Sequence, residues 1–240
     1  MDDRQTVPDA ARPRRRSRKA ATPMPPRREA ATRNAEETRE RILQSGLVEF
    51  AAHGFSGARI DRIAAAAAIN IRMLYHYFGD KAGLYVAVLE RVLGNLRHEE
   101  LQVDVDHVPP REGMAQLFDF IDGHFHAHPE LISLLSAENL QRAAFLRKSQ
   151  ATPVMSSPVL GQIDKLLRRG VADGVFRSGI DPLHLYVVMV ALSYFHRSNA
   201  HSLTAIFKVD VTDEGWQAEH SRIARDVVLG FVTAGPKAAQ

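Results

Sequence analysis

Two stretches of this 240-residue chain concentrate side chains able to do chemistry. The first runs from Ser56 to Lys81 and carries Arg59, Asn70, Arg72, Tyr75, His76 and Tyr77. Hydroxyl and ammonium groups donate to phosphate oxygens, and arginine also pairs with the guanine edge in a major groove. The second is Asp122-Gly-His124-Phe-His126-Ala-His128, where three imidazoles alternate. On a helix His124 and His128 stand at i and i+4 and can share a metal with Asp122 nearby, while His126 faces elsewhere. The segment also lies at a helix end, where histidine meets exposed carbonyls favourably, and no second cluster has metal spacing. The structural role is therefore the preferred reading, with no metal and no cofactor expected. The alternative is a metal-dependent sensor or enzyme built on His124 and His128. No Gly-x-Ser-x-Gly elbow, phosphate-cradling glycine loop or His-Glu-x-x-His pair occurs, and no catalytic residue is assigned.

The first stretch needs short helices to present its donors. Ile60, Ile63 and Ala64 recur at i, i+3 and i+4, so a helix is expected over 59–67. Asn70 is a good N-cap for a second helix over 71–77, and Gly79-Asp80 closes it and caps a third at Lys81. Two short helices joined by a tight turn make a helix-turn-helix pattern. Ahead of them a helix is expected over 35–53, capped by Asn34, with Glu36 and Glu37 favourable at its N-terminus. Leu43, Leu47, Phe50 and Ala51 form its apolar stripe, Gly54 ends it in a left-handed C-cap, and Phe55 plugs the small core.

Thr38-Arg-Glu-Arg-Ile-Leu43, Phe50-Ala-Ala-His-Gly-Phe55, Ile60-Asp-Arg-Ile-Ala64 and Leu74-Tyr-His-Tyr-Phe-Gly-Asp-Lys81 occur in that order. This spaced set resembles the DNA-binding domain of the TetR family of transcriptional regulators. Ala68 stands where that family often has glycine, and Arg59 where a threonine or serine cap is common. The resemblance implies an all-α chain, with an N-terminal three-helix helix-turn-helix domain followed by a helical ligand-binding and dimerisation domain. It implies that Tyr75, His76 and Lys81 meet phosphates or base edges while Leu74 and Phe78 hold the recognition helix. Ser56, Arg59, Asn70, Arg72 and Tyr77 are the further polar candidates. The implied partners are a double-stranded DNA operator, an unidentified small-molecule effector and a second copy of the chain, in a regulator that represses.

Residues 1–33 hold ten Lys/Arg against four Asp/Glu, a net +6, whereas the whole chain carries +3. The remainder is therefore −3, and the basicity lies in a proline- and arginine-rich stretch without periodic apolar residues. It is expected to be a disordered arm, either solvated or adding phosphate contacts. The expected domains are 34–82 for DNA binding and 83–235 for effector binding and dimerisation, with a disordered tail over 236–240. The junction should lie along a rigid helix starting at Lys81 and running to about residue 100. Further helices are expected over 111–127, 129–145, 158–172, 182–198 and 216–234, with prolines 129, 158 and 182 in first turns. Leu183, Val187, Val190 and Tyr194, then Ile223, Val227 and Phe231, form matching stripes suited to a four-helix bundle between two subunits. An effector cavity is expected around Phe118, Ile121, His124, Phe125, Glu138, Phe145 and Leu166. There is no cysteine, no apolar run long enough for a membrane span and no apolar leader, so a cytoplasmic location is expected.

Overall fold

Apolar residues at helical spacing, punctuated by capping side chains and prolines, give ten α-helices among the described residues. The computed structural model describes residues 27–149 and 151–233, the side chains of 27–32 and 152–157 excepted. The helices are α1 (Arg27–Gly57), α2 (Ile60–Ala66), α3 (Ile71–Phe78), α4 (Lys81–Glu100), α5 (Pro110–Ala127), α6 (Pro129–Leu140), α7 (Ala151–Ala172), α8 (Pro182–Ser198), α9 (Ala200–Phe207) and α10 (Glu214–Val232). A 3-10 turn covers Leu146–Lys148, and a lone antiparallel bridge joins Phe176 to Thr233. The chain divides between Glu37 and Thr38 into two units. In the first, Arg33 and Glu37 pair at 3.5 Å one helical turn apart.

In the second unit, Ile42, Leu43, Leu47, Phe50, Ile63, Leu74, Leu84 and Tyr85 are buried together, so α2, α3 and the first turn of α4 share one core with α1. Phe50 meets Tyr85 edge-on at 4.8 Å, and Phe55 lies 5.3 Å from Tyr85 and 4.2 Å from Phe145. Farther along, α5 packs against α7, α8 and α10, and α4 packs against α7. Met114, Leu117, Phe118, Ile121 and Phe125 form the inward stripe of α5. Aspartates set three starts: Asp80, Asp181 and Asp213 accept from the amides of Gly83, His184 and Trp216 at 2.7, 2.8 and 2.9 Å. Each such cap stabilises its helix by about 1 kcal/mol.

Several boundaries differ from the expectations. The first helix is already formed at Arg27 and passes through Asn34, which is therefore no cap; Glu29, Ala30 and Ala31 are good helix formers and carry it further back. Gly54 has φ 61° and ψ 179°, a positive φ but outside the left-handed helical region, and a further turn follows to Gly57. α6 stops at Leu140 rather than 145, because Arg142 and Ala143 take positive φ and the Glu138 carboxylate accepts from the Phe145 and Leu146 amides at 3.2 and 3.0 Å. α7 begins at Ala151, which leaves Pro158 inside the helix rather than at its start. The cost of an interior proline, about 3 kcal/mol, is offset by burial of Val159, Ile163, Leu166 and Leu167 along the same helix. α9 was not anticipated at all. The basic arm up to residue 26 and the tail 236–240 lie outside the described residues.

Candidate nucleic-acid interface

The turn between α2 and α3 is closed by two backbone bonds, Ala68 N to Ala65 O at 3.1 Å and Ile69 N to Ala64 O at 3.0 Å. Ala68 bends through φ 53°, a conformation that favours glycine. Asn70 then caps α3, its side chain accepting from the Arg72 amide at 2.9 Å. At the other end Gly79 takes φ 76° and its amide reaches the Tyr75 carbonyl at 2.8 Å. α3 is thereby fixed at both ends, and Leu74, fully buried, pins it to the core.

Around that pin, Arg72, Tyr75 and His76 are exposed. Tyr77 is half-buried against the core, its ring 5.7 Å from His76 and 6.3 Å from Phe78. Lys81 is also half-buried, with Nζ 4.8 Å above the Phe55 ring. Ser56 is exposed in the turn after the Gly54 kink. Arg59, exposed, precedes α2 without a side-chain cap; its amide instead donates to Glu49 Oε1 at 2.8 Å, the same oxygen that takes Arg62 Nε at 2.8 Å. Two features escaped sequence reasoning. Ile71 and Met73 are about 40% exposed on α3, where apolar groups can meet thymine methyls. Arg39 stacks over the Phe78 ring at 5.4 Å and brings α1 to the end of α3.

Of the expected effector residues, Phe118, Ile121, Phe145 and Leu166 are packed in the core, and Glu138 is buried capturing the chain after α6. Phe125 and His124 line two different cavities. One, about 480 Å³, lies among α5, α6, α8, α9 and α10 and is walled by Phe125, His126, Ile132, Ser136, Arg197 and Gln217. The other, about 220 Å³, contains Gln44, Arg91, Glu99, His124, His128 and Glu130. Asp122, expected beside the histidines, points elsewhere: it accepts from Arg197 at 2.6 Å and from Ser221 at 2.5 Å. Burial pushes its carboxyl up, but those two donors bring it below the usual range. His126 is exposed, as its alternation with His124 requires.

α4 is tied to the elements that follow it at several points. Tyr85 meets Phe145 edge-on at 5.0 Å. Arg97 bonds both the fully buried Glu100 and Tyr186 of α8, whose phenol also donates to Glu100 at 3.2 Å. Burial and the Glu100 charge push the Tyr186 phenol up to about 12. On the outer side of α8 and α10, Leu183, Val187, Ile223, Val227 and Phe231 are 43–54% exposed. Val190 and Tyr194, expected with them, turn inward instead, Tyr194 bonding Ser136 at 2.7 Å and packing on Phe125. Phe195 takes their place on the exposed side.

Residues 42–88 match the family model for bacterial regulatory proteins of the tetR family, and residues 110–228 match the model for the tetracyclin repressor-like C-terminal domain. Among curated proteins the chain is similar to the HTH-type transcriptional repressor NicS of Pseudomonas putida, with 33% identity over 195 residues that span 81% of this chain and 92% of that one. It is also similar to the HTH-type transcriptional regulator RutR of Escherichia coli, 25% identical across 72% of this chain and 80% of the relative. Among solved structures, one named for a transcriptional regulator of Streptomyces coelicolor superposes with a TM-score of 0.61 at 26% identity, covering 79% of this chain and 97% of that one.

Proposed function

The chain belongs to the tetR family of bacterial regulatory proteins, and from that premise we infer a DNA-binding transcriptional repressor that acts as a homodimer on a palindromic operator. The observation that carries the reading is α3: capped by Asn70, pinned by Leu74, and presenting Arg72, Tyr75 and His76 to solvent. A helix held this way offers guanidinium, phenol and imidazole to a major groove without disturbing its own core. Two such helices about one DNA turn apart read a palindrome, and the apolar outer face of α8 and α10 supplies the second copy's docking surface.

A small-molecule effector releases the operator by occupying the cavity of about 480 Å³, where Phe125 and Ile132 give apolar contact and Ser136, Arg197 and Gln217 offer polar partners. The ties from α4 to Phe145 and Tyr186 provide the mechanical link. Selection of bound duplexes from a random pool tests the DNA reading: one enriched palindrome is expected, and the absence of any enriched motif with or without candidate effectors refutes it. Coupling is tested by calorimetry, since effector and operator must weaken each other by the same factor. Equal effector affinity with and without operator would overturn the release mechanism.

A further inference from the structure

Glu99 comes from the last turn of α4, His124 from the last turn of α5, and His128 from the single residue between α5 and α6. One ligand atom from each lies within 4.8 Å of the others. His124 is buried, its Nδ1 is 3.1 Å from Glu99 Oε2, and its ring centroid stands 4.3 Å from that of His128. His128 Nδ1 lies 2.9 Å from Glu130 Oε1. A carboxylate only accepts, so Nδ1 of His128 donates to Glu130, and Nε2 is the ring nitrogen not engaged by that bond. This is the arrangement in which an outer carboxylate orients a metal-binding imidazole. The cavity of about 220 Å³ beside them leaves room for an ion and a water. Ligand atoms on one tetrahedral zinc stand about 3.4 Å apart, so the three groups need only small rotamer changes to converge.

We propose that Glu99, His124 and His128 form a binding site for a divalent transition ion of the zinc class, with water in the fourth position, fastening α4 to the α5–α6 junction. Two imidazoles and one carboxylate are a donor set that such ions accept, whereas calcium and magnesium prefer oxygen alone. The ion takes the lone pairs of two neutral rings and one Glu99 oxygen, and any proton on those groups leaves to solvent. Binding is independent of DNA, so it is measured without any operator.

The test uses the untagged full chain freed of metal by a chelator. Cobalt(II) is titrated to read the visible bands of a tetrahedral, nitrogen-containing site, and zinc(II) is then used to displace it. One equivalent per chain is expected, with a rise of about 5 °C in melting midpoint under excess zinc. Glu99→Gln and His128→Gln, both at partly exposed side chains, should each weaken binding at least 10-fold and abolish the melting shift, while melting as the wild type does in chelator. His107→Gln, at an exposed histidine paired with Asp104, serves as the control and should leave binding intact. A wild-type chain that takes up no cobalt, or variants at Glu99 and His128 that bind as the wild type does, overturns the proposal.

Discussion

Tyr75 offers a phenol on the exposed side of α3 while its backbone carbonyl closes the helix through Gly79, so its side chain is free to be changed without touching the cap. Tyr75→Phe and Arg72→Ala should each weaken operator binding by about 1–3 kcal/mol and leave thermal melting unchanged, as read by fluorescence anisotropy and calorimetry; a loss of folding instead would place these side chains in the core. The opposite case is His196. It is 2% exposed, with the His220 and Trp216 rings 4.1 and 5.8 Å away, and burial followed by the Arg197 charge lowers its pKa from 6.5 to about 4. Because the folded pKa lies below the unfolded one, the unfolded chain takes up the proton first as pH falls below 6.5. The stabilisation is thus complete near neutrality and is lost toward pH 4, with about 2 kcal/mol gone by pH 5. Urea midpoints at pH 7 and pH 5 should show that loss for the wild type and a smaller one for His196→Phe. The exposure of Arg72, Tyr75 and His76 was legible because polar types interrupt an apolar period within one short helix. The partner of His124 was not: Glu99 is 25 residues away in sequence, and only the packing of α4 on α5 brings them together.

Among the elements, the α2–α3 turn carries the clearest local strain. Ala68 holds φ 53° with its side chain exposed, so Ala68→Gly removes a Cβ clash without opening a cavity. A net gain of about 0.5–1 kcal/mol is expected after allowing for the greater freedom of glycine in the unfolded chain, measurable by urea unfolding; a loss would mean that strain is not what alanine contributes there. Starts of helices read well from sequence wherever a cap or a first-turn proline marks them, as at Asp80, Pro129 and Pro182. Ends read poorly when the decisive contact is distant. Nothing local to α6 announces that Glu138 will bond the amides of Phe145 and Leu146 and end the helix at Leu140. Pro158 misled for the converse reason, since burial of neighbouring apolar residues outweighs a local breaker.

For the molecule as a whole, a dimer seam on the outer face of α8 and α10, as proposed above, would separate folding from assembly. Val187 is exposed in the single chain, so Val187→Glu should keep the helical content while converting the dimer to a monomer in sedimentation velocity. Operator affinity should fall by about 100-fold or more, because one half-site cannot hold a lone subunit as two hold a pair. An unchanged sedimentation coefficient would move the interface elsewhere. α4 begins after a two-residue break from α3, at Gly79-Asp80, and runs unbroken for 20 residues to Glu100. From Arg97 to Lys81 it is a lever of about 24 Å: a tilt of about 5° applied near Arg97 sweeps the Lys81 end through about 2.1 Å. Hydrogen bonds to a base edge fail over a smaller displacement than that. On the release proposed above, the α1–α3 core would need no internal rearrangement to lose its operator, and a contact far too slight to deform α3 itself would be enough to carry it out of register.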